Sequence, residues 1–196
     1  MDKKSLRAAM IARRDAMAPE ELRALTAALT RHLIALPAYA PARSVLATMS
    51  IGSEWSTLAL IKRALADGKS VALPRITRER PKHLELYAIA DLRADLVAGV
   101  WNIPEPDPAR CRKVPFAEID LAVVPALAVD ARGYRLGYGA GYFDGLLAGR
   151  GRVPLCVTAL RSDFVVDRLP AEPHDIPVDL VIDETGAARV DRRLAA

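Results

Sequence analysis

The chain has 196 residues, of which 52% are apolar and 27% charged, a profile typical of a soluble globular protein with one domain over residues 1–196. Its net charge of +4 is too small and too scattered to predict nucleic-acid binding, although it suits an anionic small molecule. No run of about eighteen apolar residues occurs, so we expect no membrane span. Cys111 and Cys156 lack any metal-binding spacing and indicate reduced thiols in a cytoplasmic protein.

The first third of the chain predicts two helices, a strand and a third helix. The periodicity places helices over 3–15 and 20–35, with Pro19 at the start of the second helix and Pro37 beyond its end. The apolar run 44–50 predicts a short strand. Ser56 and Thr57 are expected to cap a further helix, which Gly68 ends.

The rest of the chain alternates apolar strands with turns and one more helix. Strands are predicted over 70–74, 84–89, 120–130, 153–160 and 179–183, and 120–130 is the strongest of them. The proline-rich segment 102–116 is predicted to be a loop. Fully apolar strands that alternate with helices indicate a three-layer α/β/α domain with a mostly parallel, Rossmann-like open sheet.

A glycine-rich run, GYRLGYGAGYFDG, follows the strongest strand over residues 133–145 and precedes a predicted helix. Its spacing fits neither the dinucleotide fingerprint, because Tyr142 and Asp144 stand where glycine would be needed, nor the P-loop. Such a run at the carboxyl end of a strand can bring backbone amides close to a phosphate. A tight turn with stacked aromatic residues is the alternative.

Basic residues lie along one face of the first predicted helix. At 100° per residue, Lys3, Arg7 and Arg14 fall within roughly 40° of one another, beside an apolar stripe. This arrangement fits an anion site on a packed helix, and it also fits a solvated face whose aliphatic stems cover the core.

Three carboxylates are candidates for a site at the same edge of the sheet. Glu54 follows a strand and a Gly-Ser turn, although it would also favour the start of the next helix. Asp144 closes the glycine run and is placed to meet a magnesium ion held against phosphate, or it simply begins a helix. His174 and Asp175 follow a proline-rich turn and form either a turn or a polar pair.

The stretch VPALAVDARGYRLGYGAGYFD resembles the signature of the 5-formyltetrahydrofolate cyclo-ligase family. The blocks KKSLR, MSIGSEWST, VWNIPEP and LPAEPHDIPVDLVID resemble family blocks in the same order, so the resemblance covers nearly the whole chain. It implies an ATP- and magnesium-dependent ligase that cyclises 5-formyltetrahydrofolate to 5,10-methenyltetrahydrofolate and forms ADP and phosphate. We expect such an enzyme to be a monomer.

The resemblance also implies roles for individual residues. It assigns ATP binding to Lys3, Lys4, Ser5, Leu6, Arg7, Arg135, Leu136, Gly137, Tyr138, Gly139, Ala140, Gly141 and Tyr142. It assigns folate binding to Met49, Glu54, Trp101 and Tyr142, the magnesium ligands to Asp144 and Asp175, and catalytic roles to Arg135 and Tyr142.

The sequence departs from the family pattern at three places. Family members often carry a basic residue at one or both of the positions of Tyr138 and Ala140, which shifts the expected phosphate binding toward Arg135 and the N-terminal basic residues. Trp55 stands where the family has a small or acidic residue. Two other functions therefore stay open: a phosphate-ligand binding or sugar-phosphate isomerase-like domain of similar fold, and a family paralogue with another substrate.

Overall fold

The structure, a computed structural model, describes residues 2–77, 79–148 and 154–190. The helices are α1 (Lys3–Asp15), α2 (Pro19–Ile34), α3 (Leu58–Ala66) and α4 (Tyr142–Ala148). The first seven strands are β1 (Ser44–Leu46), β2 (Ser70–Ile76), β3 (Leu84–Ile89), β4 (Leu96–Ala98), β5 (Pro104–Pro106), β6 (Arg112–Val114) and β7 (Leu121–Val123). The remaining strands are β8 (Ala128–Asp130), β9 (Arg135–Leu136), β10 (Leu155–Ala159), β11 (Val165–Val166), β12 (Leu180–Asp183) and β13 (Gly186–Arg189). Within these ranges, none of the helices is long and apolar enough to cross a membrane.

The predicted helices α1 and α2 are confirmed, and their ends follow from local chemistry. The Asp2 side chain caps α1 by accepting a hydrogen bond from the Ser5 amide at 2.7 Å. Pro19 is the first residue of α2, where a missing N–H costs nothing, and two glutamates follow it in the first turn.

The prediction for the start of α3 is right for Ser56 and wrong for Thr57, and the predicted end is right. The helix begins at Leu58, whose amide donates to Ser56 Oγ at 3.4 Å. The Thr57 hydroxyl instead donates to the Thr48 carbonyl at 2.5 Å. That bond ties the start of α3 to the segment after β1. Gly68 ends the helix with a φ of +74°, a conformation that glycine adopts without strain.

The central sheet has eight strands in the order β13-β12-β10-β7-β1-β2-β3-β6. The five neighbouring strands from β12 to β2 are parallel. β13 at one end, and β3 and β6 at the other, are added by antiparallel pairing. The prediction of a mostly parallel open sheet is therefore confirmed. Because parallel strands end at one edge, the segments after β1, β7 and β10 meet there.

The predicted strand 120–130 is wrong as a single element. It divides into β7, in the central sheet, and β8, which pairs with β9 and β11 in a separate three-stranded sheet. Pro125 stands between them and has no N–H with which to continue a ladder. The apolar run alone could not reveal this break, because both strands are fully buried.

The predicted loop 102–116 contains two short strands. β5 pairs with β4, and β6 extends the central sheet beside β3. The Arg75 guanidinium of β2 donates to the Pro106 carbonyl at 2.9 Å, which fixes the β4–β5 hairpin beside the end of β2.

Two layers cover the central sheet. On one face, α2 and α3 pack with alternate residues of the strands in one core; Leu29 and Leu60 are fully buried there. On the other face, α4 and the three-stranded sheet pack with the opposite residues of the same strands. α1 lies against the three-stranded sheet through Leu6, Met10 and Ile11. The layers place α1 beside the carboxyl edge of the sheet.

Candidate active site

The glycine loop, residues 137–141, follows β9 of the three-stranded sheet and leads into α4. Gly139 has a φ of +101°, which side chains rarely adopt, whereas Gly137 lies outside that region and has open space around its Cβ position. The glycines therefore serve two purposes. Gly139 is required by the backbone conformation itself, and Gly137 leaves a bare stretch of backbone that another molecule can approach.

Arg7 of α1 braces this loop. Its Nε donates to the Gly137 carbonyl at 2.8 Å, and its Cζ lies 3.2 Å from the position of a Cβ on Gly139. The predicted basic residue and the glycine loop thus lie together, across a sequence separation of 130 residues. Lys4 and Ser5, on the same helix, are exposed, and Leu6 is partly buried against the three-stranded sheet.

Lys3 and Asp175, predicted to bind phosphate and magnesium respectively, form an ion pair. Lys3 Nζ lies 2.7 Å from Asp175 Oδ2 and 2.9 Å from Glu172 Oε1. Burial raises the pKa of the Asp175 carboxyl, but the hydrogen bonds from Lys3 and from the Glu172 amide outweigh it, so the net shift is downward. For Lys3, burial lowers the pKa and the two carboxylates raise it, with a net rise.

Arg135, expected to bind phosphate, is buried beneath the loop residues that follow it. Its side chain is only 3% exposed, and its Nη2 donates to Asp144 Oδ1 at 3.0 Å while Nη1 donates to the Ile176 carbonyl at 2.6 Å. Asp144 Oδ1 also accepts the Ile176 amide at 3.2 Å. Burial lowers the pKa of the guanidinium, and Asp144 opposes that shift. Arg135 therefore holds the Asp144 carboxylate against the backbone of Ile176, the residue that follows Asp175.

Glu54 lies at the centre of a second polar cluster on the other side of the glycine loop. The Tyr138 hydroxyl donates to Glu54 Oε1, and the Ile51 amide donates to Oε2 at 2.8 Å. Arg14 Nη1 donates to the Tyr138 hydroxyl at 2.7 Å and lies 3.6 Å from Glu54 Oε1. Arg14 Nε donates to Ser53 Oγ at 2.9 Å. We call Arg14, Ser53, Glu54 and Tyr138 the Glu54 cluster.

The Tyr138 hydroxyl keeps its proton in this cluster. Burial and the negative charge of Glu54 both raise the pKa of the phenol, and the hydrogen bond from Arg14 only partly opposes them. The phenol is therefore a hydrogen-bond donor to the carboxylate at neutral pH.

The remaining predicted folate residues occupy different surroundings. Met49 is half-buried against the core formed with α2 and α3, and Tyr142 is half-buried at the start of α4. Trp101 lies in the turn between β4 and β5 with a φ of +56°, and 71% of its surface is exposed. Trp55, left open by the sequence, packs against the same core as Met49, and its indole donates to the Ala159 carbonyl at 2.8 Å. Trp55 is thus part of the packing.

A cavity of about 50 Å³ adjoins Glu54 where β1, β7 and β10 end. Arg14, Ser53 and Trp55 line it together with residues 123–127 and 159–161. Pockets for small molecules commonly measure about 300–1,000 Å³, so this cavity is too small for one. Glu54 also borders an open groove of about 890 Å³ between α2 and α3, which Leu22, Thr26 and Ala59 line.

Three contributors to the candidate site were not assigned from the sequence. Arg14 was visible in the basic stripe of α1 but was not assigned to the site, and the part of the Tyr138 side chain in binding Glu54 could not be inferred from a loop pattern. Glu172 gave no signal at all, because an exposed acidic residue in a proline-rich turn is common.

The chain resembles known proteins over nearly its full length. A model of the 5-formyltetrahydrofolate cyclo-ligase family matches residues 1–184. The 5-formyltetrahydrofolate cyclo-ligase of Mycolicibacterium smegmatis is 35% identical over 141 residues, 71% of this chain and 73% of that protein. The enzyme of the same name from Escherichia coli strain K12 is 28% identical over 171 residues, 87% of this chain and 93% of that protein.

A solved structure shows the same architecture. The 5,10-methenyltetrahydrofolate synthetase of Aquifex aeolicus superposes with a TM-score of 0.85 at 32% identity, covering 97% of this chain and 93% of that one. The match extends over all the elements that form the site. The chain is a member of the 5-formyltetrahydrofolate cyclo-ligase family.

Proposed function

We propose that the protein cyclises 5-formyltetrahydrofolate to 5,10-methenyltetrahydrofolate with ATP and Mg²⁺, forming ADP and phosphate. The family match over residues 1–184 carries this proposal. The geometry supports it, because three candidate parts of the site contact α1. Arg7 contacts the glycine loop, Lys3 pairs with Asp175, and Arg14 contacts the Tyr138 hydroxyl beside Glu54.

The chemistry requires activation of a poor leaving group. The formyl oxygen attacks the γ-phosphorus of ATP and releases ADP. N10 of the folate then attacks the activated formyl carbon, the carbon–oxygen bond breaks, phosphate leaves with that oxygen, and N10 loses its proton. Such steps need positioning and charge neutralisation more than a protein nucleophile.

The phosphates of ATP are assigned to the glycine loop and the N-terminal residues of α1. Gly137 offers accessible backbone, and Arg7 already lies against the loop through a 2.8 Å hydrogen bond. Lys3 is paired with Asp175 and Glu172, so in this proposal it exchanges a carboxylate for phosphate oxygens when the nucleotide binds. Arg135 acts indirectly, as the cation that orients Asp144.

The residues around Asp144 fit a magnesium ion shared with phosphate. Within residues 2–77, 79–148 and 154–190, no group of three or more acidic, histidine or cysteine side chains could hold a metal by itself. Mg²⁺ commonly takes one or two carboxylates and completes its shell with phosphate oxygens and water. Asp144 Oδ1 is held by Arg135 and by the Ile176 amide, which orients the carboxylate. Bound there with Asp175, the ion would neutralise charge on the transferred phosphoryl group.

Glu54 is assigned to the folate. The pterin ring presents two neighbouring N–H donors on one edge, which match the two oxygens of a carboxylate. Met49 and Tyr142 supply apolar and aromatic surface, and the exposed Trp101 is available to cover the aminobenzoyl part of the ligand.

One assay tests the proposal. Purified protein is mixed with 5-formyltetrahydrofolate, ATP and Mg²⁺, and the ultraviolet absorption band of the methenyl product is followed together with ADP. We expect product and ADP in equal amounts, and none without ATP or in excess chelator. Product without ADP, or full activity in chelator, would remove the ligase assignment. ATP hydrolysis or binding without folate turnover would favour a paralogue with another substrate.

Three broader expectations belong to the same proposal: one domain over residues 1–196, a monomer, and a cytoplasmic enzyme without a nucleic-acid partner. Size-exclusion chromatography with light scattering tests the monomer. A mass of about twice 21.2 kDa would contradict it.

A further inference from the structure

The Glu54 cluster connects the two halves of the site. Tyr138 belongs to the glycine loop, and Glu54 lies 84 residues earlier in the chain, in the turn after β1. Their hydrogen bond joins the segment assigned to ATP directly to the carboxylate assigned to folate. Arg14 of α1 supports this bond, because its Nη1 donates to the Tyr138 hydroxyl at 2.7 Å.

Both oxygens of Glu54 are already engaged. Oε2 accepts the Ile51 amide at 2.8 Å within a tight turn that also includes a Glu54 N–H bond to the Ile51 carbonyl at 3.1 Å. Oε1 accepts the Tyr138 hydroxyl and faces Arg14 Nη1 at 3.6 Å. A carboxylate oxygen has two lone-pair positions, of which the Tyr138 hydroxyl uses one at Oε1. With the Arg14 guanidinium only 3.6 Å away, a further donor at Oε1 competes with both groups for space.

Of these three groups, the Tyr138 side chain is the one that can move away from Glu54 most easily. Arg14 is anchored a second time through its 2.9 Å bond to Ser53, and the Ile51 amide belongs to the backbone of the turn. Tyr138 is 45% exposed, and it stands in a loop between two glycines. Its departure breaks the bond to Glu54 and the 2.7 Å bond from Arg14, and it requires movement of one side chain.

We propose that the Tyr138 hydroxyl is a built-in competitor of the folate: it occupies Glu54 Oε1 in the ligand-free chain and must be displaced before the pterin can pair with that carboxylate. Tyr138 thereby sets the affinity for folate. The inference rests on the proposed folate role of Glu54.

Whether folate affinity rises or falls when the Tyr138 hydroxyl is removed separates competition from a structural role. Removing a bond that merely supports the site loosens Glu54 and weakens folate binding. Removing a competitor leaves Oε1 open to the ligand and strengthens folate binding. Tyr138→Phe deletes only the hydroxyl of a side chain that is already well exposed, so the protein should fold normally.

The experiment is calorimetric titration of 5-formyltetrahydrofolate into the intact protein without ATP, so that no turnover occurs. Tyr138→Phe should lower the Kd between about two- and tenfold, the range expected from one net hydrogen bond. Tyr134→Phe is the matched control, because its hydroxyl has no hydrogen-bond partner in the part of the chain that the structure describes, and it should leave the Kd unchanged.

An unchanged or higher Kd for Tyr138→Phe would overturn the inference. Failure of the proposed function has a different signature: the unmodified protein itself would neither bind 5-formyltetrahydrofolate nor form the methenyl product. The two failures are therefore distinguishable in one set of titrations.

Discussion

Two arginines of the β8–β9 hairpin, Arg132 and Arg135, each pair with an aspartate. The two aspartates, Asp130 and Asp144, differ in whether an oxygen is left to bind a ligand. Asp130 is 0% exposed, and both of its oxygens are filled by the Arg132 guanidinium and by backbone amides, including that of Leu169 at 3.0 Å. Asp144, paired with Arg135, is 23% exposed on its side chain. Only one of its oxygens, Oδ1, has a hydrogen-bond partner within the described residues.

The difference indicates that the Asp130–Arg132 pair has a structural role and that the Asp144–Arg135 pair belongs to the candidate site. The saturated Asp130 holds the hairpin and the segment at Leu169 together, so it has no lone pair for a ligand. Asp144 is oriented through one oxygen, and the second is available to an ion at the edge of the site. An arginine–aspartate pair is therefore structural when both carboxylate oxygens are hydrogen-bonded. It is a candidate metal ligand when one carboxylate oxygen is left without a partner.

The largest effect, on the free energy of unfolding, is expected when the buried pair of Asp130 and Arg132 is broken. Asp130→Ala leaves the buried Arg132 charge without its partner and should lower the free energy of unfolding by about 3–5 kcal/mol. Urea denaturation followed by circular dichroism measures it. Comparable destabilisation by Asp144→Asn would mean that the two pairs do not differ in kind.

Asp144→Asn tests the open pair. The amide oxygen still accepts from Arg135, so we expect a loss of only about 1 kcal/mol in the free energy of unfolding. The Mg²⁺ concentration for half-maximal turnover should rise by at least about tenfold, since even outer-shell partners of a metal affect affinity by that much. The exposed Asp167→Asn is the control. An unchanged Mg²⁺ dependence would exclude Asp144 as a ligand.

The glycine loop beside Asp144 allows a contrast of the same kind. Gly139→Ala should lower the free energy of unfolding by about 1–3 kcal/mol, because its φ of +101° strains any side chain. Gly137→Ala meets nothing within 4 Å and should leave stability unchanged while it weakens ATP binding. Thermal melting and nucleotide titration of both variants decide the matter. Normal ATP affinity in Gly137→Ala would show that phosphate does not approach the backbone there.

The smallest effect is expected at the partly exposed pair of Lys3 and Asp175. The net lowering of the Asp175 pKa means that its contribution is complete above the ordinary value of 3.8 and is lost as the pH falls through the lowered value. Lys3 has a raised pKa, so the same pair is also lost as the pH rises above it.

Lys3→Met should therefore lower the free energy of unfolding by about 1 kcal/mol at neutral pH and by progressively less below pH 3.8. Thermal melting at several pH values, with the exposed Lys4→Met as the control, measures the difference. A difference between Lys3→Met and the unmodified protein that persists undiminished at the lowest pH would show that the ion pair is not its cause.

The sequence by itself determined the elements whose signals are local. The helices at 3–15 and 20–35, the strands at 70–74 and 84–89, and the mostly parallel sheet follow from periodicity, prolines and apolar runs, each of which acts within a few residues. The glycine run and the flanking blocks likewise indicated the family, because each is a pattern within a short segment. Its candidate residues, among them Lys3, Arg7, Glu54 and Asp175, were therefore named from the sequence.

Tertiary structure decided everything that depends on which segments meet. The apolar run 120–130 divides at Pro125 because two different sheets compete for its halves, and no local pattern encodes that competition. Arg135 is buried against Asp144 because the segment at Ile176 returns to it, 41 residues later. Tyr138 meets Glu54 across 84 residues. Contacts at such separations depend on packing of the whole chain, so a spacing pattern can name the residues but cannot tell which partner each one holds.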